Sequence, residues 1–331
     1  MTTGLVLGKF MPLHLGHIAL IEFALQRCDE LLVLVCASDS EPIPGDKRLS
    51  WVEETFAGNN RVKPLLLNYD ESLLPNTSVS SEEVSAIWAG YLKKHLPPID
   101  IFFASEAYAT YMGRFLGCDY VIFDELRQTV PVSSTLIQQS PFTYWDFVPK
   151  PVRPFYVKKI CLYGTESTGK TTFTEKLARH FDTIGVTEMA REILEHTYEC
   201  TPAHLSQIAE LQARTINQKI KQANKLLFVD TDVNITRSYS KFLFDAELAL
   251  PGWIEEANQF DLYLYMDIDA PYIQDGTRLS MADRDLLNTF HRQELVNRGI
   301  KFELLSGSWE AKFERAMELI EQIIIGGTGQ I

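Results

Sequence analysis

Apolar residues along this chain fall in short runs, at 4–7, 31–37, 62–67, 99–104 and 121–124, separated by stretches whose apolar positions recur at helical spacing. Runs of this length are the pattern of strands buried on both faces. Alternating with helices, they predict an α/β domain over residues 1–148, a parallel sheet with helices on both faces. One of those helices carries a capping-box pattern, Ser80-x-x-Glu83, ahead of residues 84–88. The alternation resumes at Lys158 and runs to about residue 325, with a long helix between Pro202 and Lys225. It predicts a second doubly wound parallel-sheet domain, 158–331. Between the two, Pro141, Pro149, Pro151 and Pro154 interrupt the periodicity. Phe142, Tyr144, Trp145 and Phe147 are costly to leave in water, so residues 149–157 are expected to form a docked proline-rich connector and not a free tether.

Each domain has a glycine-containing turn where a strand passes into a helix. In the second, Gly164, Thr165, Glu166, Ser167, Thr168, Gly169, Lys170 and Thr171 fit G-x-x-x-x-G-K-[ST] without a mismatch, with Thr172 opening the helix. Glycines let such a loop curl its N–H groups toward phosphates, and the helix N-terminus adds to the attraction. These nine residues are the expected ATP cradle. Lys170 would reach the β- and γ-phosphates, and the Thr171 hydroxyl would ligate magnesium. Residues 226–232 read as a buried strand ending in Asp230 and Asp232. Asp230 would take the proton of an attacking hydroxyl or help hold the metal. Asp232 would bind the acceptor or simply cap the next helix. Glu188 and Arg191, three apart after another strand, would orient a sugar hydroxyl or pair with each other on the surface. Residues 274–278 have the makeup of a lid, on which Arg278 would neutralise the transferring phosphoryl group or stay an exposed turn residue.

The first domain opens with Gly8-Lys9-Phe10-Met11-Pro12-Leu13-His14-Leu15-Gly16-His17, directly after a strand and at a helix start. Two histidines three apart there can both point at an anion, assisted by N–H donors and the helix dipole. Two nucleotide sites on one chain suggest two consecutive reactions that both use ATP.

With these motifs the chain resembles the bifunctional bacterial NadR-type proteins, which join a nicotinamide mononucleotide adenylyltransferase to a ribosylnicotinamide kinase. The resemblance covers nearly the whole length. Gly8, Phe10, Pro12, His14, Gly16 and His17 are similar to the nucleotidyltransferase ATP signature, and the phosphate loop, Glu188 with Arg191, Asp230 to Asp232 and Asp275 to Arg278 are similar to the kinase half. The resemblance implies that Arg48, Trp51, Tyr108, Asp124 and Arg127 lie near the mononucleotide, and that Trp253 meets a nicotinamide ring. It also implies ATP contacts from Ser133, Ser134 and Thr135. The superfamily's second signature, Ser-x-Thr-x-x-Arg, ends here in Gln138, which brings no charge where a guanidinium would grip phosphate. Arg127, Lys9 and Arg48 are candidates for the missing cation.

The implied chemistry is attack of the mononucleotide 5′-phosphate on the α-phosphorus of ATP in the first domain, aligned and neutralised by His14, His17 and magnesium. In the second, the 5′-hydroxyl of nicotinamide riboside attacks the γ-phosphorus, helped by Asp230, Lys170, the metal and the lid. Two other readings stay open: a riboside kinase whose first domain only binds or senses adenine nucleotide, and a phosphate-loop domain that is a switch controlling a partner protein.

Composition narrows the classes. The 331 residues are 46% hydrophobic, ample for two cores, and the net charge of −13 argues against a nucleic-acid partner, since phosphate backbones demand a basic face. No basic arm or helix-turn-helix precedes Gly4, so the DNA-binding domain of some family members is expected to be absent. The longest apolar runs are strand-sized, so no membrane partner is expected, and no signal peptide is evident. Five cysteines without C-x-x-C pairing read as a reduced cytoplasmic protein. The partners expected are small molecules: ATP, nicotinamide riboside, the mononucleotide and NAD. The homo-oligomeric state is left open.

Overall fold

The computed structural model describes residues 1–77, 79–194, 199–269 and 280–326. The chain folds as two compact units, 1–153 and 154–326.

The first unit is a five-stranded parallel sheet of Thr3–Gly8 (β1), Glu30–Ser38 (β2), Val62–Tyr69 (β3), Ile101–Ala104 (β4) and Asp119–Ile122 (β5), in the order β3-β2-β1-β4-β5. Its helices are Leu15–Leu25 (α1), Gly45–Phe56 (α2), Glu82–His95 (α3), Ala109–Leu116 (α4) and Ser134–Gln139 (α5). Seven of the nine β2 positions from Leu31 to Ala37 are buried apolar residues, as expected of a strand covered on both faces. α3 starts one residue later than the capping-box pattern places it. Ser81, not Ser80, is the N-cap, accepting from the Val84 N–H, which puts Glu82 and Glu83 in the first turn where the helix dipole favours them. The fourth strand likewise begins at Ile101, because Ile99 packs on the core before pairing starts. After α5 comes the buried Trp145, whose ring lies under the Arg153 guanidinium at 5.4 Å.

Arg153–Tyr156 (α6) leads to the second sheet: Lys158–Tyr163 (β6), Ile184–Val186 (β7), Leu226–Asp230 (β8), Leu262–Met266 (β9) and Glu303–Leu305 (β10), in the order β10-β9-β6-β8-β7, again all parallel. Its helices are Lys170–His180 (α7), Ala190–Ile193 (α8), Pro202–Lys219 (α9), Val233–Phe244 (α10), Gly252–Ala257 (α11), Met281–Asn297 (α12) and Trp309–Gly326 (α13). α9 ends at Lys219 and tightens into a 3-10 turn over Ile220–Gln222, so the long helix stops short of Lys225. Its start is set by Thr201 capping the His204 N–H, with Pro202 in the first helical position.

The cysteines are all unpaired, and among the described residues no helix is long and apolar enough to cross a membrane. In each unit the glycine-containing turn follows the central strand, β1 or β6, and opens the next helix. Open parallel sheets bind ligands outside the carboxyl ends of their strands, so both turns sit where the topology makes a crevice.

Candidate functional sites

In the first unit, β1 ends at Gly8 and Phe10 turns into the core, only 1% exposed, with its ring edge-on to His17 at 4.9 Å. His14 is the N-cap of α1: its Nδ1 accepts from the Gly16 N–H at 3.1 Å. A neutral ring accepting through Nδ1 carries its proton on Nε2, which leaves that N–H to donate. His17 stacks on His14 with ring centroids 3.7 Å apart. Burial, helped by the Arg127 charge, lowers His14 to about 4, and burial together with His14 and Arg127 holds His17 well below the ordinary imidazole range. Both rings are therefore neutral near pH 7. As neutral rings they can supply N–H dipoles to an anion.

Of the three candidate cations, two share one carboxylate. Lys9 Nζ lies 2.8 Å from Glu41, and Arg48 Nη2 is 2.7 Å from the same side chain. Arg48 is fully buried and also donates to the Lys9 and Cys36 carbonyls at 2.8 and 3.1 Å, bracing the ends of β1 and β2. Trp51, one turn on, is buried at 1% exposure. Arg127 differs: it is half-exposed, it approaches Glu106 at 3.9 Å, and both histidines feel its charge. Asp124 accepts from the N–H groups of Gln128, Thr129 and Val130, so its carboxylate shapes the loop that carries Arg127. Tyr108 packs edge-on to Phe102 at 5.9 Å. Ser133 caps α5 at the Leu136 N–H, Ser134 donates to the Pro12 carbonyl at 3.2 Å, and Thr135 is exposed. Gln138 Nε2 donates to the Met11 carbonyl at 2.5 Å.

In the second unit a cavity of about 820 Å³ opens over the phosphate loop, lined by Gly164, Glu166, Ser167, Gly169, Lys170, Thr171 and Thr172 and also by Glu188, Arg191, Gln212, Asp232, Tyr239 and His291. Thr165 and Thr168 are buried beneath, bonded through Thr168 Oγ1 to the Thr165 carbonyl at 2.9 Å. Two glycines are required by the backbone. Gly164 has φ +133° and a β-carbon there would lie 2.8 Å from the Met266 carbonyl. Gly169 has φ +85°, with the Trp309 ring 2.9 Å from the same point. Lys170 Nζ rests on the Thr165 carbonyl at 2.9 Å.

Thr171 Oγ1 donates to Asp230 Oδ2 at 2.5 Å, and the other Asp230 oxygen is buried without a hydrogen-bond partner among the described residues. Burial raises the Asp230 carboxyl against the pull of Lys170 and Thr171, and burial raises Glu188 likewise, with Lys170 opposing. Arg191 is mostly exposed, 4.0 Å from Glu188. Asp232 is fully employed inside the protein. It caps α10 at the Asn234 and Ile235 N–H groups and accepts from Asn234 Nδ2 at 2.6 Å and Tyr263 OH at 2.7 Å. Burial pushes it up to about 6 all the same. The capping alternative holds for this residue. Trp253 stands on α11 with the Arg214 guanidinium 5.3 Å from its ring, and it does not line the cavity. Arg278 and the proposed lid lie outside the described residues.

Sequence reasoning missed the residues that hold these groups in place. Gln212 of α9 donates to the Asp230 carbonyl at 3.2 Å and accepts from the Met189 N–H at 3.0 Å, tying β8 to the Glu188 segment. Glu41 gathers Lys9 and Arg48. Neither stands in a motif; a glutamine on the apolar face of α9 was the visible signal for the first.

Comparison with known proteins agrees with this division. Residues 5–140 match the cytidylyltransferase-like family and residues 159–312 the AAA domain family. The trifunctional NAD biosynthesis/regulator protein NadR of Salmonella typhimurium strain LT2 is 29% identical over 342 residues, covering 97% of this chain and 83% of that protein. The nicotinamide-nucleotide adenylyltransferase of Thermococcus onnurineus strain NA1 is 23% identical over 168 residues, 47% of this chain and 82% of the relative. A crystal structure of NadR protein in complex with NR shares the fold over 100% of this chain and 98% of its own, with a TM-score of 0.76 at 22% identity.

Proposed function

We propose that this chain, NadR-like in both halves, is a bifunctional transferase of NAD synthesis: its second unit phosphorylates nicotinamide riboside with ATP, and its first adenylylates the mononucleotide with release of pyrophosphate. The observation that carries the reading is the pair of anion cradles, one after the central strand of each sheet, each followed by a helix N-terminus. The similarity to NadR and to a nicotinamide-nucleotide adenylyltransferase supplies the substrate class.

In the kinase cavity, the amides of residues 165–171 and Lys170 would hold the triphosphate. The riboside would lie toward Glu188, with its 5′-hydroxyl near Asp230. Asp230 would take that proton or help hold the metal. Magnesium fits the donor set: the Thr171 hydroxyl and a buried, unpartnered Asp230 oxygen are the hard oxygen ligands it takes alongside substrate phosphates. When bound, it neutralises charge on the transferring phosphoryl group.

In the first unit the His14 Nε2–H and the α1 N-terminus would grip the ATP phosphates, and Arg127 would add the cation that Gln138 does not. No covalent enzyme intermediate is needed, so alignment and electrostatics carry the step. The test is to supply the mononucleotide, ATP and magnesium. Dinucleotide with equimolar pyrophosphate supports the reading, and ATP binding without product refutes the transferase half.

A further inference from the structure

Gln212 stands on the buried face of α9, at 3% exposure, and lines the kinase cavity. Its amide meets two strand ends at once. Nε2 donates to the Asp230 carbonyl at 3.2 Å and approaches the Thr231 carbonyl at 3.5 Å, while Oε1 accepts from the Met189 N–H at 3.0 Å. The two ends differ in support. β8 lies between β6 and β7 in the sheet, and all five of its residues are buried. β7 is a three-residue edge strand whose ladder to β8 stops at the Val186–Val229 pair. Glu188 comes after that ladder, so sheet hydrogen bonding does not fix it; the Met189 N–H beside it is held by Gln212. The β8 end needs support of its own, because Thr231 has φ +64°, which a β-branched residue adopts only where its surroundings impose it. Burial raises the Glu188 carboxyl, Lys170 pulls it back and the Asp230 charge raises it further, so the two carboxylates are close enough to interact.

This inference rests on the kinase reading above. We propose that Gln212 is a positioning residue for riboside phosphorylation: by tying Met189 to the end of β8, it fixes the spacing between Glu188 and Asp230. A primary amide suits the place, since it offers a donor to one strand end and an acceptor to the other without adding charge beside two carboxylates. An apolar side chain would leave the buried Met189 N–H without this acceptor. Phosphoryl transfer is sensitive to such spacing: its catalysis is positioning and charge placement, and a displacement of about 1 Å can cost about 100-fold.

The test measures riboside phosphorylation by the intact chain with magnesium and ATP, in a cycle of Gln212→Met, Glu188→Gln and the double variant. Gln212→Met keeps the length of the side chain and removes its hydrogen bonds. It should lower kcat/KM for the riboside roughly 10- to 100-fold, with the KM for ATP within about twofold and adenylyl transfer unchanged. In the Glu188→Gln background the same change should cost less than about threefold, because the group it positions is already gone; a purely structural role would cost the same in both backgrounds. Gln212→Asn, one methylene too short to hold both ends, should repeat the pattern. An equal loss in both backgrounds, wild-type activity in Gln212→Met or in Glu188→Gln, or failure of both Gln212 variants to fold in thermal melts would each overturn the proposal while leaving the kinase reading intact. A wild-type chain that phosphorylates no riboside overturns both.

Discussion

The Gln138 side-chain amide donates to the Met11 carbonyl across 127 residues of sequence, at 2.5 Å. Ser134 holds the neighbouring Pro12 carbonyl, so α5 grips the turn that presents His14 from two points. The position where the superfamily has a phosphate-binding arginine serves here as a brace. Gln138→Ala should therefore loosen the turn and lower adenylyl transfer by about tenfold, the cost of one part-buried hydrogen bond, with riboside phosphorylation unchanged. Gln138→Arg should bring no gain in kcat/KM for the mononucleotide, because a guanidinium at this place is drawn to the same carbonyl. Steady-state kinetics of both reactions on both variants check this.

Arg127 is the candidate cation not tied to Glu41, and its charge already reaches both histidines. Arg127→Ala should lower transfer by roughly 100-fold, the scale of one preorganised charged donor at developing phosphate charge. Lys9→Ala should cost less, since Lys9 is shared with Glu41. The readout is pyrophosphate release at saturating ATP.

The neutral histidine pair fixes a pH response. His14 titrates at about 4 in the fold, against an ordinary value of 6.5. The unfolded chain takes up this proton as pH falls from 6.5, and the folded chain refuses it until about 4. Stability is thus complete above pH 6.5 and declines as pH drops through that window, by on the order of 3 kcal/mol for this ring. His14→Asn, which keeps an N-cap acceptor, should flatten the decline in urea-unfolding midpoints measured between pH 7 and 4.5. Adenylyl transfer should stay flat from pH 8 to 6 as far as this pair is concerned.

Asp230→Asn keeps the shape of the side chain and removes its charge. Riboside phosphorylation should fall by about 10²- to 10⁴-fold, the range for a lost general base, with a raised magnesium requirement and intact adenylyl transfer. Titrating magnesium at fixed ATP separates the two effects.

Both sheets and both phosphate turns were legible in the sequence because they rest on local signals: strand-length apolar runs, glycines needed by backbone shape, and residues at helix starts. What stayed hidden depends on contacts between distant segments. Asp232 follows a strand as an acceptor-binding carboxylate or a helix cap would, and its bonds from the Asn234 and Ile235 N–H groups show it capping α10. Arg48 reads as a basic residue available to a ligand, yet Glu41 and two carbonyls enclose it. Spacing shows that the histidine pair can meet an anion, but not the burial that lowers both rings. The capping-box pattern pointed to Ser80, and the structure puts the cap at Ser81, which accepts from the Val84 N–H.

Two separate triphosphate cradles acting in series leave a signature in one mass balance. Starting from nicotinamide riboside with excess ATP and magnesium, the intact chain should form NAD with two ATP consumed per riboside, one yielding ADP and one pyrophosphate. Lys170→Ala should abolish the start from riboside while still converting added mononucleotide, and His17→Ala should let mononucleotide accumulate. Loss of both steps in Lys170→Ala, or consumption that stops at one ATP per riboside in the wild type, would contradict the account.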